Sequence, residues 1–144
     1  YDLMDPQAGN IDGAGRRNFN NIGVSSPELR ANLGLAWKND IHAANVFLRY
    51  ISSYDDDQNC DDGTANLGGC AGGFYEVDSH LTVDAQYNID LGGLYDTEQS
   101  YVLTLGAINM FDEEPPQLFT NSGFDSKVHD PRGRQIYARL AIEF

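Results

Sequence analysis

The sequence predicts an all-β fold, specifically a segment of an antiparallel transmembrane β-barrel, and three observations carry that expectation. In 133–144, Ile136, Ala138, Leu140, Ile142 and Phe144 alternate with Gln135, Tyr137, Arg139, Ala141 and Glu143 up to the last residue. Period two up to the end of the chain describes a strand whose faces meet different solvents. Four further segments repeat the pattern, and the connections between them alternate short and long. Short turns on one side and long loops on the other are the signature of an outer-membrane barrel.

The elements follow in order. Segment 28–38 places Leu29, Ala31, Leu33, Leu35 and Trp37 against Glu28, Arg30, Asn32, Gly34, Ala36 and Lys38. A tight turn at 38–40 leads into 41–54, where Ala44, Val46, Leu48 and Tyr50 oppose Ala43, Asn45, Phe47 and Arg49, with Phe47 on the polar side. A long loop, 55–75, precedes 76–90, in which Val77, Leu81, Val83, Ala85, Tyr87 and Ile89 oppose polar residues from Glu76 to Asp90. Eight successive polar positions on one face do not suit a buried sandwich strand. After a short connection at 91–98 comes 99–111, with Tyr101, Leu103, Leu105 and Ala107 outward, then the long loop 112–132 and the terminal strand. Residues 1–27 are less regular, and 17–22 is expected to hold part of a sixth strand.

With long loops extracellular, the terminal strand ends in the periplasm. Trp37, Tyr87, Tyr101 and Phe144 then fall at the periplasmic boundary, and Tyr50, Tyr54, Tyr75 and Phe111 at the outer one, as aromatic girdles. Five or six strands cannot close a membrane barrel, whose smallest form has about 8. The chain is therefore expected to be a fragment, with Tyr1 inside a loop and Phe144 a C-terminus.

Composition agrees without deciding. Hydrophobic residues make up 41%, which would also suit a soluble domain, but a barrel strand gives only alternate residues to lipid. The net charge of −13 disfavours nucleic acid, whose phosphates such a surface repels. The acid is concentrated in loops: Asp55, Asp56, Asp57, Asp61 and Asp62 in one, Asp112, Glu113 and Glu114 in the other. The first group offers oxygen ligands of the kind calcium takes, but lacks the Asp-x-Asp-x-Asp-Gly order of an EF-hand, so a solvated loop is the expectation. Cys60 and Cys70 lie in the same glycine-rich loop, where a local disulfide and an oxidising compartment are expected over free thiols or a metal pair.

Among the remaining side chains, Tyr75, Phe119 and Phe124 are candidates to stack on a ligand, with loop packing the alternative. His42, His80 and His129 are dispersed, so no metal site is expected. Arg30, Arg49, Arg134 and Arg139 are expected on the lumen side, paired with Asp78, Asp84 or Glu143.

Three boxes then carry a resemblance. Asn109-Met110-Phe111-Asp112 followed by Pro115, then Asp130-Pro131 and Gly133-Arg134, then a terminal strand with Tyr137, Leu140, Ile142 and Phe144, together resemble the closing portion of a TonB-dependent outer-membrane receptor. In that family an Asn-Leu-Phe-Asp-like box ends the penultimate strand, and Met110 here replaces the leucine. The stretch Ser26-Pro27-Glu28-Leu29-Arg30-Ala31-Asn32-Leu33 is similar to an earlier strand of the same family, so the resemblance spans most of 26–144. It implies the last part of a barrel of about 22 strands with a plugged lumen, the plug and TonB box lying outside this chain. It further implies no catalysis and no cofactor. The implied function is TonB-coupled import of a scarce ligand, of siderophore, cobalamin or oligosaccharide class. The implied partners are outer-membrane lipid, the TonB system through the plug, and the barrel-assembly machinery that reads the terminal strand. A passive porin-like barrel and a soluble secreted β-sandwich binding module are the rival expectations; the first does not require the succession of boxes, and the second requires one inner core for Leu29, Leu33, Val83, Leu103, Leu140 and Ile142.

Overall fold

The computed structural model describes residues 2–5, 9–12, 14–17, 25–56, 75–95, 99–118 and 122–143. It is mostly antiparallel β-sheet, with ten strands and one helical turn among those residues. The chain divides into two compact units: Tyr1–Arg30, Tyr50–His80 and Glu114–Pro131 form the first, and Ala31–Arg49, Leu81–Glu113 and Arg132–Phe144 the second.

The second unit is built on a five-stranded sheet. Its strands are β4 (Arg30–Asn39), β5 (His42–Ile51), β8 (His80–Asp90), β9 (Ser100–Ile108) and β10 (Gln135–Glu143), in the order β10-β9-β8-β5-β4. This is the meander the alternating segments predict, with strand ends shifted by up to four residues. The β4–β5 turn is tight because Asp40 accepts a left-handed φ of 43°, a conformation that a short polar side chain tolerates. Between β8 and β9 runs a single helical turn, α1 (Leu91–Leu94), whose start is capped by the Asp90 carboxylate accepting from the Gly92 and Gly93 amides. Capping offsets amide donors that a turn this short cannot satisfy internally.

Registers assign the faces. Ile136, Ala138, Leu140 and Ile142 stand opposite Ala107, Leu105, Leu103 and Tyr101, and Ala107, Leu105 and Leu103 stand opposite Ala85, Tyr87 and Ile89. The other face aligns Tyr137 with Gly106 and Gln86, and Arg139 with Thr104 and Asn88. The paired residues of β8, β9 and β10 lie on the faces that alternation predicts, and Phe47 keeps to the period as well: its ring lies against Gly34 of β4 on the polar side. The apolar face is open, with Leu35 57%, Trp37 54% and Ile136 78% exposed. Burial of a leucine of that size stabilises by about 1.5–3 kcal/mol, so a row of such residues left uncovered across the sheet is a large unrealised gain in water.

The first unit holds β1 (Asp2–Asp5) paired with β2 (Gly9–Asp12), and a small sheet of β3 (Arg16–Arg17), β6 (Tyr54–Asp56) and β7 (Tyr75–Val77) in the order β3-β6-β7. Here β6 pairs antiparallel with β7 and parallel with β3. Sequence alternation runs 41–54 and 76–90 as two unbroken strands; the structure interrupts them at residues 52–53 and 78–79. Of the expected strand at 17–22, Arg17 falls in β3 (Arg16–Arg17), and 18–22 lie outside the described residues. Tyr54, Val77 and Leu118 make the unit's buried cluster, with Tyr75 and Val128 packed against it.

Candidate functional site

Two places gather chemistry, one in each unit. In the second unit they are the boxes singled out in the sequence. Asn109 follows β9 with φ of 49°, and Asp112 closes the turn with φ of 60°. Asn109 is buried and its amide mimics a strand partner: Nδ2 donates to the Glu113 carbonyl at 2.9 Å while Oδ1 accepts from the Glu113 amide at 2.9 Å. The Asp112 amide donates to the Asn109 carbonyl at 3.0 Å, which sets its carboxylate pointing back across the chain. That carboxylate accepts the Arg134 amide at 2.7 Å. A Cβ on Gly133 would lie 2.8 Å from the same oxygen, so any larger residue would push the Asp112 carboxylate from its present position. The Asn-Met-Phe-Asp and Gly-Arg boxes are thus two halves of one clasp that fastens the exit of β9 to the entrance of β10 across the intervening loop. Met110 and Phe111, at the clasp's tip, are exposed, while the Met110 amide donates to the Val83 carbonyl at 2.7 Å.

Asp84 joins the clasp to the polar face. Its carboxylate accepts the Asn109 amide at 3.0 Å and pairs with the Arg49 guanidinium at 2.7 Å, and Arg49 Nε donates to Thr82 Oγ1 at 3.4 Å. This is the expected pairing of Arg49 with Asp84. Arg134 enters through its backbone, ahead of β10, and Arg139 stands on the polar face. The same face carries a second close approach. The Tyr137 ring lies against Gly106, where a Cβ would meet its ring carbon at 2.2 Å, and its hydroxyl donates to Gln86 Oε1 at 3.0 Å, spanning three strands. An aromatic ring covering a strand glycine supplies the packing that the glycine lacks and pins register.

In the first unit the gathering is of buried polar groups. Tyr54 Oη stands 3.4 Å from Asp125 Oδ2 and 3.5 Å from His129 Nε2, and Ser25 Oγ donates to the same Asp125 oxygen. The imidazoles of His80 and His129 meet edge to face, their centroids 5.1 Å apart. His129 sits at the end of a turn in which the Val128 and His129 amides donate to the Asp125 carbonyl, while the Lys127 amide donates to the Asp125 carboxylate. Burial, then the neighbouring His80, pull the His129 pKa down from 6.5 to about 4, with Asp125 opposing and Arg30 adding to the depression.

Several expectations are corrected. The histidines are dispersed in sequence, but the fold brings His80 and His129 into contact. Asp56 is a fully buried strand residue rather than part of a solvated loop, and Asp55 is its half-buried neighbour on β6. Tyr54 and Tyr75 belong to the interior of the first unit rather than to an outer girdle. Tyr75 is partly buried against the Tyr54–Val77–Leu118 cluster, and Phe124 is half-buried in its loop. Asp57, Cys60, Asp61, Asp62, Cys70, Phe119 and Phe144 lie outside the described residues; among those that are described there is neither a disulfide nor a cluster of His, Cys, Asp and Glu able to hold a metal ion. Pro115, Asp130 and Pro131 fall in the loop between β9 and β10, outside the clasp.

The His80–Tyr54–His129–Asp125 cluster is what sequence reasoning missed. Its trace in the sequence is that Tyr54 and His80 each follow a serine beside a strand interruption, a pattern that does not by itself mark a buried site. No family model, curated protein or solved structure matches the chain.

Proposed function

We propose that this chain is the C-terminal wall segment of a TonB-dependent receptor in the outer membrane of a Gram-negative bacterium, importing a scarce ligand of siderophore, cobalamin or oligosaccharide class. The observation that carries the reading is the two-faced sheet: large apolar side chains of β4, β8, β9 and β10 exposed on one face, amides, carboxylates and guanidinium groups on the other. Hydrocarbon is the solvent that would cover the first without exposing backbone, because each inner strand already satisfies its neighbours. Support for the family comes from the clasp, since the resembling boxes are joined by specific contacts rather than merely following one another.

On this reading the apolar face meets lipid, the polar face with Arg49, Asp84 and Tyr137 lines the lumen, and the connections from β5 to β8 and from β9 to β10 face outward. The protein would transport rather than catalyse; the plug and TonB box would lie in other parts of the polypeptide, and the assembly machinery would read Tyr137, Leu140, Ile142 and Phe144. A disulfide between Cys60 and Cys70 in the outward loop suits the oxidising side of that membrane.

The test is to recover the native polypeptide from outer membranes in detergent, identify it by peptides of this sequence and measure its intact mass. A mass several times 15.9 kDa, peptides from an N-terminal plug, and ligand uptake lost on deletion of TonB are expected. A water-soluble native species of about that mass would overturn the proposal in favour of a secreted module; an outer-membrane species whose uptake ignores TonB would indicate a passive pore.

A further inference from the structure

The buried polar cluster of the first unit is placed to respond to protons, and this holds whether or not the receptor reading is correct. His129 and His80 are only 4% and 6% exposed. When Tyr54 donates its hydroxyl proton to Asp125, its oxygen is left to accept from His129 Nε2, which places the imidazole lone pair on Nδ1. His129 Nδ1 is buried and has no hydrogen-bond partner among the described residues. A proton added there becomes a buried N–H donor without an acceptor, on a ring whose edge contact is a second imidazole. Both circumstances penalise the charged form, and a buried unpaired donor is among the costlier defects a fold can carry.

Groups facing His129 come from four elements. Arg30 of β4 repels the imidazolium, His80 of β8 repels it further if it too protonates, Tyr54 of β6 contributes a hydroxyl without charge, and Asp125 of its own loop attracts it. Asp125 is already committed to Ser25, Tyr54 and the Lys127 amide. The attraction is therefore shared and does not outweigh burial.

We propose that the His80–His129 contact is an acid-released latch: proton uptake by His129 detaches the segment 122–131 from Tyr54 and Ser25. The segment is attached through Asp125 to Ser25 and Tyr54 and through His129 to Tyr54 and His80, beside the packing of Val128 on the core and the Leu118 amide on the Gly123 carbonyl, so loss of the His129 contacts loosens a turn whose amides otherwise close on Asp125. His129 lies in the connection between β9 and β10, outside the strands. The direction of the pH dependence follows from its depressed value. A base that binds protons less well when closed than when open favours the open form in acid, so the latch is fully held above about pH 6.5 and lost progressively as pH falls toward 4. Between pH 7 and pH 5 the opening constant rises about 20-fold if the closed and open values are those just given.

Native-state hydrogen exchange on the full-length protein tests this, reading the amides of Val128 and His129 after correction for the intrinsic pH dependence of exchange, with the amides of β9 as internal reference. The expected result is a reversible rise in opening of about 20-fold at 122–131 from pH 7 to pH 5, unchanged protection in β9, and a flat profile in His129→Gln. A flat profile in the wild-type protein, or a pH dependence that persists in His129→Gln, would overturn the proposal. Should His129→Gln fail to fold, His80→Phe decides: it keeps a ring at the edge contact and removes the like charge. The acid-induced rise should then be smaller than in the wild type; an unaltered rise would remove His80 from the latch and overturn it.

Discussion

Replacing Asn109 by alanine tests whether the boxed residues act as a clasp. Asn109 is 5% exposed and satisfies both backbone groups of Glu113, each at 2.9 Å, from a left-handed φ of 49°. Alanine removes two hydrogen bonds with a net worth of about 1 kcal/mol each and holds a left-handed conformation that costs it about 1 kcal/mol. The sum is about 3 kcal/mol in the opening of this turn. Aspartate in the same place keeps the tolerance for positive φ and the acceptor for the Glu113 amide, losing only the donor, so Asn109→Asp costs about a third as much, about 1 kcal/mol. The appropriate readout is hydrogen exchange at the Met110 and Arg134 amides, which bond to Val83 and Asp112 and are not themselves altered by the substitution. Opening at both amides should become easier together. If Asn109→Ala changes them by less than about 1 kcal/mol, or if alanine and aspartate behave alike, the side-chain bonds do not hold the turn and the clasp argument fails.

Three further outcomes are expected. Gly106→Ala places a methyl 2.2 Å from the Tyr137 ring carbon, expels the ring and breaks its bond to Gln86, destabilising by about 1–3 kcal/mol; in a double-mutant cycle with Tyr137→Ala the two costs should be clearly non-additive, and additivity would mean the ring does not rest on that glycine. Asp84→Ala should cost about 2–3 kcal/mol in chemical denaturation because it strands the Asn109 amide as well as the Arg49 guanidinium, whereas Arg49→Ala, with a half-exposed side chain, should cost under about 1 kcal/mol; equal costs would assign the effect to the ion pair alone. Leu33→Arg on the apolar face should cost about 2–4 kcal/mol in refolding from denaturant into bilayers while Asn32→Arg on the polar face costs almost nothing, and the reverse order would place lipid on the wrong side of the sheet.

Much of the second unit was legible in the residues. A strand projects successive side chains to opposite faces by geometry alone, so Leu29, Leu33, Val83, Leu105 and Ile142 announce one face and Asn32, Asp84 and Gln86 the other before any partner is known. Even Phe47, out of pattern by hydropathy, follows the period, and its place over Gly34 gives the reason: the strand opposite offers a gap that a ring fills. The Asn-Met-Phe-Asp and Gly-Arg boxes were visible as residue types. That Asp112 accepts the Arg134 amide was not, because the intervening loop can bring its ends together in many ways.

The amino-acid sequence by itself determined which residues alternate, which face each would share and where the chain must turn, since all three depend on the backbone's own geometry and on glycine, asparagine and aspartate at special φ. Only the tertiary structure decided that β3 would lie parallel to β6, that Asp56 would be buried, and that His80 and His129 would meet beside Tyr54. Those contacts join segments far apart in the chain. Their stability comes from burial and from satisfied polar groups in a shared interior, a property of the packed ensemble that no local period records.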